Sequence, residues 1–442
     1  MKGSVAAVIG RSTFTATVAA ILAAGGTLAA AAWLYGMPPD LSSPWGLNHP
    51  GLEQFRALWH LPTASLAAPA FRAGFWLLIA VAWAGYGALL LAGARGGRLP
   101  WRTMRAAAVL VAVAMAVACP PVLSADVYGY VGFGRLAALH HLNPMTTSQS
   151  ALVRLGDPAA AFLGGDVASP YGPLWSALSV AVVRSAGPLG VAGQVLAFKL
   201  LAAAALLAAA AAARRAAQKT DVGGYDDTGE AAFAFVALNP LLLIEGPGSG
   251  HNDLVMLALV LASFAALAAG RPRLAALAAG SAAAVKLVPL LLIPWLAWTA
   301  RDRRRPWRSA TAVAALALLP LLVSMLPFWD GARTFAGLGA WWREGHRAGG
   351  STAGLLLVPV AYAAISWTVV RTSRDGVAVL ATGWTLASSA AIALGTATWF
   401  PWYLSWPLAG LALRRDRRHA FATAALMLLG ALFTALYANG RI

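Results

Sequence analysis

Acidic residues are scarce. The 442 residues hold only 16 Asp and Glu against 33 Lys and Arg, and charged residues of both signs make up 11% of the chain. Soluble domains carry roughly 25%, so an ordinary water-facing globule is excluded. Cysteine is rarer still. The single Cys119 ends an apolar run, which rules out an intrachain disulfide and a cysteine-based metal site. The short alternating segments of a membrane β-barrel are missing, and no internal repeat stands out. The chain is instead 60% hydrophobic, much of it in stretches that approach or exceed the roughly 17–25 residues that cross a bilayer.

The formal charge of +17 does not indicate a nucleic-acid partner. The basic residues sit in short clusters between apolar runs, as the positive-inside rule requires, where they also meet anionic lipid headgroups. Lys2 and Arg11 place the N-terminus in the cytoplasm, and the run Thr13–Leu34 reads as an uncleaved first helix rather than a signal peptide. The clusters around Arg95–Arg105, Arg214–Lys219, Arg301–Arg308 and Arg414–His419 then set the topology. The predicted fold is an all-α polytopic membrane protein, a bundle of about thirteen transmembrane helices, lying in the plasma membrane. It is one integral domain over 1–442. Residues 1–104 add two N-terminal helices to a core at 105–442, whose long external loop covers 125–172. The start of that loop is predicted to be an interfacial helix, with Phe133, Leu136 and Leu139 on one stripe and Tyr128 and Arg135 on another face. Residues 171–188 are expected to dip into the outer leaflet and re-emerge, with Trp175 and Arg184 as anchors. The polar loop 218–230 is expected to be cytoplasmic and mobile.

Three polar peptides are expected on the external side. The first, LSADVYGYVGFGRLAALHHLNP at 123–144, places Asp126 where an apolar run stops. A carboxylate at a membrane edge is costly and so a functional candidate. It can accept a proton from a substrate hydroxyl, or it can simply cap a helix. It could also ligate a divalent cation, but the ligand set is thin for one. His140 and His141 are adjacent, diverge on a helix and form no i,i+4 metal pair. The second peptide, EGPGSGHND at 245–253, supplies glycines for close backbone approach. His251, Asn252 and Asp253 open a helix whose N-terminus suits phosphate, with capping the alternative for Asp253. The third feature is Lys286, alone among Ala, Val and Leu at the apex of a short helical hairpin. It is placed there to meet phosphate, with snorkelling to the surface the alternative. Lys199 is similar but nearer mid-helix and could pair with an acid. The tryptophans read mainly as interfacial belt, although those of WFPWYLSW (399–406) and GAWWREGH (339–346) could wall a sugar ring or a polyprenyl chain.

These residues carry a resemblance. SADVYGYVGFGRLAALHHLNP, SPYGPLW (169–175), NPLLLIEGPGSGHNDLVM (239–256), AAVKLVPLLLIPW (283–295) and WFPWYLSWPL (399–408) occur in order over about 105–410. The set resembles the GT-C glycosyltransferases that use polyprenyl-phosphate sugars, closest to the actinobacterial polyprenyl-phosphomannose-dependent α-1,6-mannosyltransferases of lipomannan and lipoarabinomannan synthesis. The resemblance implies an inverting transfer to a glycan or glycolipid acceptor, with the lipid-phosphate sugar as co-substrate; no cofactor is expected, and a divalent metal is left open. Asp126 stands at the position of the family's catalytic base. Lys286 and Arg135 would hold the phosphate, and His251 and Asp253 would bind sugar or phosphate. Tyr128, Tyr171, Asn252, Trp402 and Tyr403 complete the expected binding residues. Two helices precede the helix that leads into the catalytic loop, a departure from the simple pattern. A transporter or flippase of a lipid-linked sugar is the competing reading, but transporters place their polar groups at mid-membrane around broken helices, and here they cluster on one face.

Overall fold

A computed structural model describes residues 2–39, 41, 49–62, 65–94, 101–163, 165–220, 228–302, 304–347, 352–373, 375–395, 400–413 and 417–438. Trp45, Arg95, Arg98, the centre of the loop 218–230, Arg374, Trp399 and Arg414 lie outside the described residues, as do the side chains of Trp341 and Trp342. The described chain is helical, with an isolated bridge between Asp330 and Ala332. In order the helices are α1 (Lys2–Trp33), α2 (Leu52–Leu58), α3 (Ala68–Ala94), α4 (Trp101–Ala118), α5 (Asp126–Ala138), α6 (Ser150–Arg154), α7 (Pro173–Ser185), α8 (Gly190–Lys219), α9 (Thr228–Ala237) and α10 (Pro240–Leu243). There follow α11 (Asp253–Ala268), α12 (Pro272–Val285), α13 (Leu292–Thr299), α14 (Pro306–Met325), α15 (Ala336–Arg347), α16 (Thr352–Thr372), α17 (Gly376–Gly395), α18 (Ser405–Leu411) and α19 (Arg417–Ala438).

Among the described residues, 6 helices are long and apolar enough to cross a membrane, or 7 if the bent pair α9–α10 counts as one span. These are α1, α3, α4, α8, α14 and α17. The sequence suggests about thirteen crossings. The difference lies in segments that are apolar but short: 253–268, 272–285, 288–299, 357–372 and 423–434.

The chain divides into two compact units. The first unit comprises 1–124, 199–254 and 412–442. In it α1 runs along α3 on a face of Ala16, Ala19, Ala20 and Ala23, all buried. Small residues let backbones approach where no hydrophobic effect drives association in lipid. The 50° bend between α9 and α10 has a local cause. Pro240 brings no N–H and cannot continue the helix, and Asn239 takes over as cap, its Oδ1 accepting from the N–H groups of Leu241 (3.0 Å) and Leu242 (3.3 Å). The Asn239 amide in turn donates to the buried Tyr86 hydroxyl at 3.2 Å, and Tyr86 donates to the Phe235 carbonyl.

The second unit comprises 125–198 and 255–411. Here α5 lies against α7, α12 against α14, and α17 against α16 and α18. Three glycines in thirteen residues make α5 a poor helix by propensity, each costing roughly 0.5–1 kcal/mol relative to Ala, so its stability comes from its contacts. Gly134 is the tightest, since a Cβ there would stand 2.5 Å from the Ser179 carbonyl oxygen of α7. The stripe Phe133 and Leu136 is buried under the loop's own Ala151, Leu152, Ala160 and Leu163, while Leu139 stays exposed. The loop therefore covers α5 with its own short helices. α7, thirteen residues long, is too short to span alone. Its Trp175 is buried against Tyr130, not placed at a surface as an anchor.

Candidate active site

The loop after α5 folds back on itself. The Ser169 N–H donates to the Pro144 carbonyl (2.8 Å) and the Gln149 N–H to the Val167 carbonyl (3.3 Å), and the Gln149 side chain reaches the Gly129 carbonyl of α5 at 2.9 Å. This return brings Tyr171 to Asp126, 45 residues earlier in the chain. Asp126 is not the cap of α5. Ala125 holds that position without a side-chain hydrogen bond, and Asp126 is the first helical residue, where the helix dipole favours negative charge. Its Oδ2 accepts from the Tyr171 hydroxyl at 3.0 Å and from the Tyr130 hydroxyl, one turn along α5, at 3.4 Å. Asp126 is half-buried. Burial holds the Tyr171 phenol well above its ordinary pKa, and the adjacent Asp126 carboxylate pushes it the same way. Tyr171 is therefore a hydrogen-bond donor throughout the working pH range.

Lys286 sits at the break between α12 and the following 3₁₀ turn Val288–Leu291, in extended conformation. Pro289 in the first turn fixes where that helix can start. The half-buried ammonium lies 5.1 Å from the ring centre of Tyr403 and 5.0 Å from that of Trp406. Such cation–aromatic contacts are worth about 0.5–2 kcal/mol and fix direction without neutralising charge. Tyr403 is close enough to Tyr171 to influence its titration. Trp402 stacks on Phe400 with ring centres 4.5 Å apart. The peptide that carries Tyr171 is joined to the end of α12, since the Gly172 N–H donates to the Val285 carbonyl at 3.0 Å. A Cβ at Gly172 would come within 2.1 Å of the Ala284 carbonyl oxygen. The second unit thus assembles Asp126, Tyr130, Tyr171, Tyr403 and Lys286 from four separate stretches of chain.

Two expected binding residues stand elsewhere. The buried Arg135 donates from Nε to Asp157 Oδ1 at 2.8 Å, and from a terminal nitrogen to the Gln194 side chain at 3.3 Å. His140 meets the other Asp157 oxygen at 2.7 Å, and the Ala159 N–H donates to Oδ1 at 2.8 Å. Burial alone would raise the Asp157 carboxyl, but the hydrogen bonds from Arg135, His140 and Ala159 outweigh it and hold the group below its ordinary pKa. Tyr128 is buried and stacked on Phe162 at 5.5 Å. His141 is exposed, in the left-handed region at φ +55°.

The first unit holds the second polar peptide, 245–253. A π-helical turn at Ile244–Gly248 follows α10, and such turns concentrate at functional sites. Gly250 turns the chain at φ +82°, a conformation open mainly to glycine. The His251 N–H then donates to the Glu245 carbonyl at 3.1 Å, and the two side chains meet at 3.5 Å between Nε2 and Oε2. Glu245, His251, Asn252 and Asp253 are all fully buried, and Asp253 opens α11. Lys199, also fully buried, donates to the Cys119 carbonyl and lies over the Trp59 ring rather than meeting an acid. Among the described residues no group of three His, Cys, Asp or Glu side chains is arranged to hold a metal ion.

Sequence reasoning missed Tyr130 and Asp157 as working parts. The Asp-x-x-x-Tyr spacing, which puts both on one helical face, signals the first, and no sequence feature signals the second.

No curated protein and no solved structure matches the chain. Two families do match. Residues 22–302 match the family described as alpha-(1->6)-mannopyranosyltransferase, N-terminal domain, and residues 171–436 match glycosyltransferase family 87. Each covers more than half of the chain, and the two overlap from 171 to 302, a stretch that includes Tyr171, the 245–253 peptide and Lys286. The chain is a multi-pass membrane glycosyltransferase and belongs to the alpha-(1->6)-mannopyranosyltransferase family and to glycosyltransferase family 87.

Proposed function

We propose that the protein transfers a mannosyl unit from polyprenyl-phosphate-mannose to a hydroxyl of a mannan or lipoglycan acceptor, with inversion at the anomeric carbon, on the external face of the plasma membrane. The observation that carries this reading is the pairing, within one compact unit, of a half-buried carboxylate held by neutral hydroxyls with a half-buried ammonium held by aromatic faces. Asp126 takes the proton of the acceptor hydroxyl, and the acceptor oxygen attacks C1 of the sugar on the side away from the phosphate. The C1–O bond breaks, its electron pair passing to the phosphate oxygen. Lys286 stabilises the charge gathered on that leaving phosphate, where a preplaced cation in a dry site is worth most. A β-linked donor thereby becomes an α-mannoside. Trp402 and Tyr403 offer flat faces to the sugar or the carrier. His251, Asn252 and Asp253 are retained as binding residues for sugar or phosphate. Arg135 and Tyr128 support α5, since their side chains are committed to Asp157 and Phe162.

The test supplies purified protein with labelled polyprenyl-phosphomannose and an oligomannoside acceptor, and digests the product with linkage-specific α-mannosidases. An α-linked, mannose-extended product is expected. Absence of transfer from this donor contradicts the mannosyl assignment, and a β-linked product contradicts inversion.

A further inference from the structure

We propose that Tyr171 is a positioning residue for the base, holding the Asp126 carboxylate in one orientation and keeping it ionised. The inference rests on Asp126 being the base. Tyr171 does not touch the acid by chance of a mobile side chain. Its ring is fixed by edge contacts with Tyr130 (5.1 Å between centres) and Phe133 (6.3 Å). Its backbone is fixed by the Ser169 and Gly172 hydrogen bonds to Pro144 and Val285. Gly172 lies too close to α12 to accept even a methyl group. From this mount the hydroxyl reaches Asp126 Oδ2 at 3.0 Å, and Tyr130 reaches the same oxygen at 3.4 Å. Two donors on one oxygen of a carboxylate stop it from rotating. Donors to an ionised carboxylate also favour its ionised form. Both phenols are uncharged, so these two contacts orient the carboxylate without themselves bringing a positive charge to it. The sequence reading makes Tyr171 a substrate-binding residue, whereas the geometry points to a partner of the acid.

The experiment measures kcat and kcat/KM for mannosyl transfer against pH in wild type, Tyr171→Phe, Tyr130→Phe and Asp126→Asn. Phenylalanine keeps the ring contacts and removes only the hydroxyl. In Tyr171→Phe the acidic limb of kcat/KM is expected to move up by about one pH unit, with kcat about tenfold lower and the donor KM nearly unchanged. Tyr130→Phe, with the longer bond, is expected to shift the limb in the same direction by less, and it carries the test if Tyr171→Phe does not fold. A limb that stays where it was in both folded variants overturns the inference. So does an effect confined to the donor KM, which would mark Tyr171 as a sugar contact. Full activity in Asp126→Asn overturns the underlying assignment of the base. An inactive Asp126→Asn with an unmoved Tyr171→Phe limb overturns only the inference about Tyr171.

Discussion

A carboxylate stands at each end of α5, Asp126 on the helix itself and Asp157 on the loop that returns to it, and the partners differ in kind. At the N-terminal end Asp126 is half-buried and accepts from two phenols. Near the C-terminal end Asp157 is buried and accepts from a guanidinium, an imidazole and a backbone N–H. A carboxylate locked to Arg135 at 2.8 Å is stabilised as an anion and is a weak base. Phenol donors such as those on Asp126 orient a carboxylate without the full charge of a guanidinium. The same helix thus meets a brace at one end and carries the proposed base at the other. The brace helps to fix α5, and with it the place of Asp126.

The largest way to break this comparison is to remove the proposed base. Asp126→Asn should lower transfer by about 10²–10⁴-fold, the range of a lost general base, with thermal unfolding in detergent close to wild type. Asp157→Ala should do the opposite. It leaves Arg135 buried without its counter-charge and should cost about 3 kcal/mol of stability, read by thermal or denaturant unfolding, while the molecules still folded keep most of their activity. Lys286→Met keeps bulk and removes charge. It should lower kcat/KM for the phosphate donor about tenfold, worth about 1.4 kcal/mol. The smallest effect is on pH dependence of stability. Asp157 is held below its ordinary pKa in the fold, so its contribution is fully present above the unfolded carboxylate value of about 4 and is lost as pH falls through the lower folded value. The stability gap between wild type and Asp157→Asn should therefore narrow below about pH 4 and stay constant above it.

Much of this was legible in the sequence, for physical reasons. Long apolar runs and basic clusters read directly as membrane helices because the bilayer imposes length and charge rules on them. Asp126 and Lys286 stand out because ionisable groups are rare in such a chain. The break at Lys286 falls where the sequence places the apex of a short helical hairpin. What could not be read was partnership across distance. Arg135 looks like a phosphate ligand until the loop returns Asp157 to it, 22 residues away. Trp175 looks like a surface anchor until α7 turns it onto Tyr130. Lys199 suggested an acid partner, and its partner is the backbone carbonyl of Cys119, 80 residues earlier, which no side-chain pattern encodes. The short α6 and the turn at Pro158–Phe162, which cover α5, have no strong periodicity and are held by the contacts they make.

The central claim is that Asp126 is the base and that the Tyr130 and Tyr171 hydroxyls hold it in place. Its most direct test is the single-turnover rate of mannosyl transfer from labelled polyprenyl-phosphomannose in wild type and Asp126→Asn, both shown to be folded and to bind the donor. The account predicts donor binding within a few-fold of wild type and a rate at least about 10² lower. Transfer by the asparagine variant at the wild-type rate would contradict it.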